Sequence, residues 1–472
     1  MLEDLRRDER IVRKPSTRGA LSAVWKPFAE DGDLVAAMER LGGAISVPTD
    51  AHASLAMPVA LPRMPTALRN QFEAGLPRVG MVPVGSDVSS SGDGLDGSTP
   101  PVPGGALGIA YLVGDIRMAG VGTITHVDGQ RMTGFGHPMM QVGDTNFPIV
   151  DAKIITVRSS RNISVKMAET GAVIGQLTGD YQASVVGRYD TRAKLVPLKI
   201  NIRAPERNVD REFKMEAAPM PLMLPLIIAS GLSGALAEAL PHGMPYLYKI
   251  GLDWQVEEGY SGTYEKVTVT HGQAGSTLLR DVLMPLILVL ANPYEELTLK
   301  SLTIDLEVVP QQRVAELRSV SVPVDEVHAG EQVELKVYLR PFGGTEKVSE
   351  TIALNIPREF AGKRIALEVG AADELLTPQI PAFIDLPSYL KTIEPAGRAD
   401  ELVVVLGSLT ADLDADGVIY PAAPPSLRAA VSTIVVDSPA RSLVPEHFTK
   451  KPLKWILNNT VTLHMDVLAP RT

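Results

Sequence analysis

The spacing of apolar and polar positions divides the chain into stretches of different period. Between Ala106 and about Arg203 the period is two: apolar side chains alternate at Leu107, Ile109 and Tyr111, and again at Leu198, Ile200 and Ile202. That is the pattern of strands with one buried face. The unit from Gly122 to His137 predicts a β-hairpin, with Asp128-Gly129 as the two positive-φ residues of a type I′ turn and a second strand that ends at His137-Pro138. Strict alternation returns at Leu302, Ile304, Leu306 and Val308. It continues at Val333 to Leu339, Ile352 to Ile356 and Ile365 to Val369. These strands predict a small immunoglobulin-like sandwich over 297–372. Residues 373–472 read as a mixed C-terminal region, with a strand at Leu402 to Leu406.

Elsewhere the spacing is helical. Leu34, Val35, Met38 and Leu41 predict a short helix, while Ala56-Met57-Pro58-Val59-Ala60-Leu61-Pro62 is interrupted by proline. Residues 1–83 therefore read as an N-terminal remnant and not as a complete domain. Leu224, Ile227, Ile228, Leu232, Ala235 and Leu236 predict a helix near 222–240, with Pro225 in its first turn. The uncharged stretch Ala217 to Ala237 has the length of a membrane span, but Pro219, Pro221, Pro225, Gly231 and Gly234 favour a buried soluble helix. A strand around Val267 and Val269 and an apolar segment from Leu278 to Leu290 follow. The two apolar segments are expected to brace a β-domain of 106–296 from outside. The Gly-, Ser- and Pro-rich run within 84–105 has the composition of a solvated linker or long loop.

Composition narrows the classes. With 472 residues the chain has room for two to four domains, and 45% apolar with 21% charged residues is ordinary for globular proteins. Forty glycines, 37 prolines and 5% aromatics suit a turn-rich β protein. Lys and Arg number 45 against 55 Asp and Glu, a net charge of -10 with no basic block, which argues against a nucleic-acid partner. The absence of cysteine removes disulfides, thiolate metal sites and cysteine nucleophiles. Met1 to Arg10 is densely charged and has no apolar core of a signal peptide, so Met1 as the true start implies the cytoplasm.

Candidate chemistry centres on Gly134-Phe135-Gly136-His137-Pro138, where flanking glycines free the backbone and an imidazole stands at a strand end. Asp115, Asp128, Asp144, Asp151 and Asp180 are nearby in sequence, and the spacing singles out none of them as an orienting acid. The serines in small-residue contexts are Ser230, Ser233, Ser261 and Ser276, none within a complete G-x-S-x-G elbow. The other histidines lack metal-ligand spacing. Asp412, Asp414 and Asp416, followed by Gly417, match the first part of a calcium loop, whose twelfth position is Ala423 in place of Glu. Calcium is therefore the one candidate cofactor, against a plain acidic turn.

Gly114-Asp115-Ile116, Gly120 to Gly129, Gly134 to Pro138, Pro148 and Gly175-Gln-Leu-Thr-Gly-Asp-Tyr181 together resemble the SpoIVB-type serine peptidase domain of bacteria. The resemblance covers about Val102 to Arg203, with support from Met57 to Pro103. It implies a mainly β fold: a partial trypsin-like β-barrel with bracing helices, followed by the immunoglobulin-like sandwich. It also implies that His137 is the general base of a serine endopeptidase. The family's nucleophile lies in an S-G-S-P segment closely preceded by the acid, and this sequence contains neither. In relatives of this arrangement that segment precedes the histidine hairpin. The resemblance therefore implies either a truncated, inactive peptidase of an exported or periplasmic protein, or a non-catalytic binding or scaffold protein of the cell envelope. The expected partner is a protein or peptide, with no membrane span; the oligomeric state is not readable.

Overall fold

The computed structural model describes residues 17–45, 57–84, 95–98, 100–159, 165–240, 247–269, 274–310, 313–322, 326–344, 347–376, 385–393, 397–408, 413–415, 418–420, 441–442, 447–457 and 459–471. The chain forms two compact units, one of Met1–Tyr264 and Thr268–Val308, the other of Glu265–Val267 and Val309–Thr472.

The first unit holds thirteen strands in one continuous sheet. They are β1 (Met57–Ala60), β2 (Met81–Pro83), β3 (Ala106–Gly114), β4 (Met118–Asp128), β5 (Arg131–Gly134), β6 (Gly143–Arg158) and β7 (Val165–Tyr181). After these come β8 (Ser184–Arg188), β9 (Val196–Ala204), β10 (Val209–Ala217), β11 (Leu247–Val256), β12 (Ser261–Val269) and β13 (Leu299–Val308). Their order is β12-β11-β13-β9-β10-β3-β6-β7-β8-β5-β4-β1-β2, with a further pairing of β3 with β4. That pairing closes a ring: β3 pairs with β4, β4 with β5, β5 with β8, β8 with β7, β7 with β6, and β6 with β3, all antiparallel.

Side chains fill the ring. Leu107, Tyr111, Phe147, Ile149, Leu177 and Val185 are all buried, and the Tyr111 and Phe147 rings meet edge to face at 5.4 Å. At Gly134 of β5 an added Cβ would lie 2.4 Å from Leu107 Cδ2, so the bare backbone lets the short strand pack directly on that core leucine.

The hairpin expected at 122–137 exists, with two differences. Asp128 pairs with Arg131, so the turn is Gly129-Gln130; of the two only Gly129 has positive φ (56°), the sign pattern of type II′ and not type I′. Strand β5 stops at Gly134, which leaves His137 in the β5–β6 connection.

Three helices precede the ring: α1 (Thr17–Asp31), α2 (Leu34–Ala44) and α3 (Thr66–Gly75). Asp33 caps α2 by accepting from Ala36 N at 2.9 Å, and Leu34, Met38 and Leu41 are buried as their spacing predicts. The helix expected near 222–240 is α4 (Leu224–Ala239), and the apolar segment after it is α5 (Ala274–Leu290). Apart from Ala237 and Glu238, all of α4 is buried, so it is a core helix and not an external brace. Gly231 seats it against Leu112, Met215 and Leu198 of the sheet. Part of the expected linker also belongs to the body: Ala172 N donates to Leu95 O at 2.9 Å, and Gly97 N to Asp151 Oδ2 at 3.2 Å.

Strand β13, read from sequence as the start of the sandwich, lies in the first unit between β11 and β9. Alternation fixes which face of a strand is buried but not which sheet it joins.

The second unit has strands β14 (Val314–Ser321), β15 (Val327–His328), β16 (Gln332–Pro341), β17 (Val348–Asn355), β18 (Arg364–Ala371) and β19 (Glu401–Ser408). Later come β20 (Leu413–Ala415), β21 (Val418–Tyr420), β22 (Arg441–Ser442), β23 (His447–Pro452), β24 (Ile456–Leu457) and β25 (Val461–Leu468). Two sheets, β17-β16-β14-β24 and β15-β25-β18-β19-β23, share one core of alternating residues that includes Leu335, Val337, Leu354, Leu367 and Val404. Three strands of the second sheet come from beyond residue 372, so the C-terminal region completes this core. Its described residues also include two short helices, α6 (Ala372–Leu375) and α7 (Leu386–Ile393). On the outer face of β19, Leu376 and Leu375 from α6 and the residue after it cover Val403 and Val405. Among the described residues no helix is long and apolar enough to cross a membrane.

Candidate functional site

The β5–β6 connection, residues 135–142, lies at one rim of the ring and carries His137. Its backbone is unusual. Phe135 (φ 69°), Gly136 (φ 73°) and Gln141 (φ 57°) are left-handed, and Phe135 and Gln141 are two of three such non-glycine residues among those described. Gly136 N donates to Gly134 O at 2.8 Å, which makes Phe135 the centre of a γ-turn of the rare positive-φ kind. Left-handed non-glycine residues cost roughly 1–3 kcal/mol each and persist only where surrounding contacts impose them.

Those contacts are visible on both sides of the loop. Phe135 N donates to Thr123 O at 2.9 Å, and the Phe135 ring lies over Gly122, where a Cβ would stand 2.2 Å from its Cδ1. The same ring faces that of His137 at 5.7 Å between centroids. From beneath, the fully buried Asp180 near the end of β7 holds the rest of the loop. Met139 N donates to Asp180 Oδ1 at 2.7 Å, while Met140 N and Val142 N donate to Oδ2 at 2.7 and 3.4 Å. Three amides converge on this one carboxylate, the kind of charge-assisted bonding that fixes a loop backbone.

His137 is half-buried, and its Nδ1 lies 2.7 Å from the carbonyl oxygen of Pro138. A carbonyl only accepts, so Nδ1 is the donor, and whenever the ring is neutral Nε2 is its unprotonated nitrogen. That is the tautomer a general base needs.

Of the five aspartates near His137 in sequence, the fold joins Asp180 to its loop. Asp115 accepts from Lys214 N at 2.7 Å, Asp144 from Tyr181 Oη at 2.6 Å, and Asp151 from Gly97 N; Asp128 closes the hairpin. The bond to Asp144 also pushes the Tyr181 hydroxyl above its ordinary pKa. Burial, together with the nearby charge of Asp180, drives the Tyr111 hydroxyl far above its ordinary range and keeps it neutral.

No serine candidate is tied to this loop among the described residues. Ser230 and Ser233 are buried in α4, where Ser233 Oγ donates to Ala229 O at 2.7 Å. Ser276, in α5, accepts from Gln71 Nε2 at 2.6 Å, and Ser261 opens β12. The possible calcium loop falls largely outside the described residues: Asp412 and Asp416 lie beyond them, and Asp414 is placed only by its backbone in β20. Among the described residues no cluster of His, Asp and Glu has the makings of a metal site.

Sequence reading found His137 from its glycines but had no means to select Asp180, about forty residues away, or the strain at Phe135 and Gln141. Compared with protein-family models, curated proteins and solved structures, the chain finds no match.

Proposed function

We propose that this protein is a relative of the SpoIVB-type serine peptidases that carries the general base, His137, and that has, among the described residues, no serine nucleophile beside it. As it stands it forms no acyl-enzyme and cleaves no peptide. The observation that carries this reading is the Nδ1 bond to Pro138 O, which leaves Nε2 as a proton acceptor on a strained rim loop. The closed six-strand ring lends support, because the resemblance implies a trypsin-like barrel in this part of the chain.

An imidazole with a free Nε2 takes a proton from water or attacks an activated ester, but with no hydroxyl to activate it lacks the two-step route of a serine enzyme. The test compares the full chain with His137→Ala on p-nitrophenyl acetate, on a casein substrate and with a fluorophosphonate probe. Slow ester turnover that falls in the variant, with no labelled serine and no casein cleavage, is the expected result. Equal turnover in both proteins overturns the assignment of His137 as a base; a labelled serine overturns inactivity.

A second reading, a non-catalytic binding protein of the cell envelope with an immunoglobulin-like second unit, draws on that unit's exposed Phe342 (59%) and Phe448 (44%).

A further inference from the structure

We infer that Asp180 is a positioning residue for His137 and that it acts through the peptide group joining Pro138 to Met139. The carbonyl of that group accepts from His137 Nδ1 at 2.7 Å. Its N–H, on the nitrogen of Met139, donates to Asp180 Oδ1 at 2.7 Å. One planar amide thus holds the imidazole at one end and a carboxylate at the other.

Amide resonance couples the two ends. A carboxylate drawing on the N–H moves electron density onto the carbonyl oxygen, which becomes a stronger acceptor for Nδ1–H; such chains strengthen each bond by roughly 10–30%. The bonds from Met140 N and Val142 N to Oδ2 keep Oδ1 turned toward Met139. The carboxylate is itself fixed by β7, where Asp180 pairs with Gly143, the first residue of β6. In a Ser-His-Asp site the acid touches Nδ1 directly and sets the tautomer. Here the same task is carried out across one peptide group, with the acid buried under the loop and away from solvent.

The use of this coupling for proton transfer rests on the proposed role of His137 as a base, but the coupling can be measured without any activity. In the full chain labelled with 15N-histidine, with the His137 resonances identified by their loss in His137→Gln, the neutral ring is expected as the Nδ1–H tautomer. In Asp180→Asn, which keeps the side-chain shape, the ratio of Nδ1–H to Nε2–H is expected to fall roughly fivefold, the worth of about one hydrogen bond. An Nε2–H ring in the unaltered chain overturns the inference, as does an unchanged ratio in a folded Asp180→Asn. Where that variant does not fold, the unaltered chain decides: titrating His137 is expected to move the Met139 amide resonance, and an indifferent Met139 overturns the inference. Equal ester turnover by His137→Ala and the unaltered chain would remove the base role and leave this coupling standing. A null coupling would leave the base reading with an unaided imidazole.

Discussion

Asp180 and Met139 meet at 2.7 Å, carboxylate oxygen to amide nitrogen, at a site with no solvent exposure for the aspartate. Removing the carboxylate leaves the donors of Met139, Met140 and Val142 without their acceptor. Asp180→Ala is expected to cost about 3 kcal/mol or more of stability, read as a lowered midpoint in urea unfolding of the first unit. A midpoint equal to that of the unaltered chain would contradict this.

Gly122 and Gly129 offer a matched comparison. An added Cβ at Gly122 strikes the Phe135 ring, whereas at Gly129 it meets nothing within 4 Å. Gly122→Ala is expected to displace Phe135 and shift the His137 ring protons, at a cost of about 1–3 kcal/mol. Gly129→Ala, whose φ is 56°, is expected to cost about 1–2 kcal/mol and leave the His137 spectrum unchanged. The proton spectrum of the histidine ring distinguishes the two.

The placement of β13 predicts where the chain can be cut. A chain ending at Val308 keeps β13 between β9 and β11 and is expected to remain folded; one ending at Glu296 loses the shared partner of both strands. Limited proteolysis and far-UV circular dichroism of the two chains check this. Equal stability would show that the sheet closes without β13.

Asp373, in the second unit, titrates at about 6 because burial disfavours its charge and the neighbouring Glu374 repels it. Its folded pKa lies above the ordinary 3.8. The favourable contribution is therefore complete below about pH 4 and is lost as the pH rises through about 6. Asp373→Asn is expected to raise the thermal midpoint at pH 7.5 and to flatten the dependence between pH 4 and 7, measured by calorimetry. An unchanged slope in the variant would count against it.

Legibility followed the range of each signal. Leu107, Ile109 and Tyr111, or Val333 to Leu339, declare their strands locally, because a period of two requires only neighbours. The helix at Leu224 was readable for the same reason. Its complete burial was not, since what covers a helix lies elsewhere in the chain. Periodicity alone did not show the ring, although the resemblance implied a partial barrel here, because its closure depends on β3 pairing with both β4 and β6, and on a strand, β5, of only four residues. At the turn, Asp128-Gly129 was a sound signal placed one residue early: the strands pair up to Asp128, so the glycine opens the turn. The glycines around His137 marked the loop, but residue type alone does not show that Phe135 and Gln141 must be left-handed.

The parallel pairing of β13 with β9 also bears on the order of assembly. Residues 196–204 and 247–256 are synthesised well before residues 299–308, yet the last of these segments lies between the other two. Until it arrives, both strands expose an unpaired side on which another chain can template. Such late, long-range insertion is slow and leaves a window for misassembly. During synthesis the half-finished sheet is therefore open to wrong pairing, and that period ends when the segment around Ile304 docks.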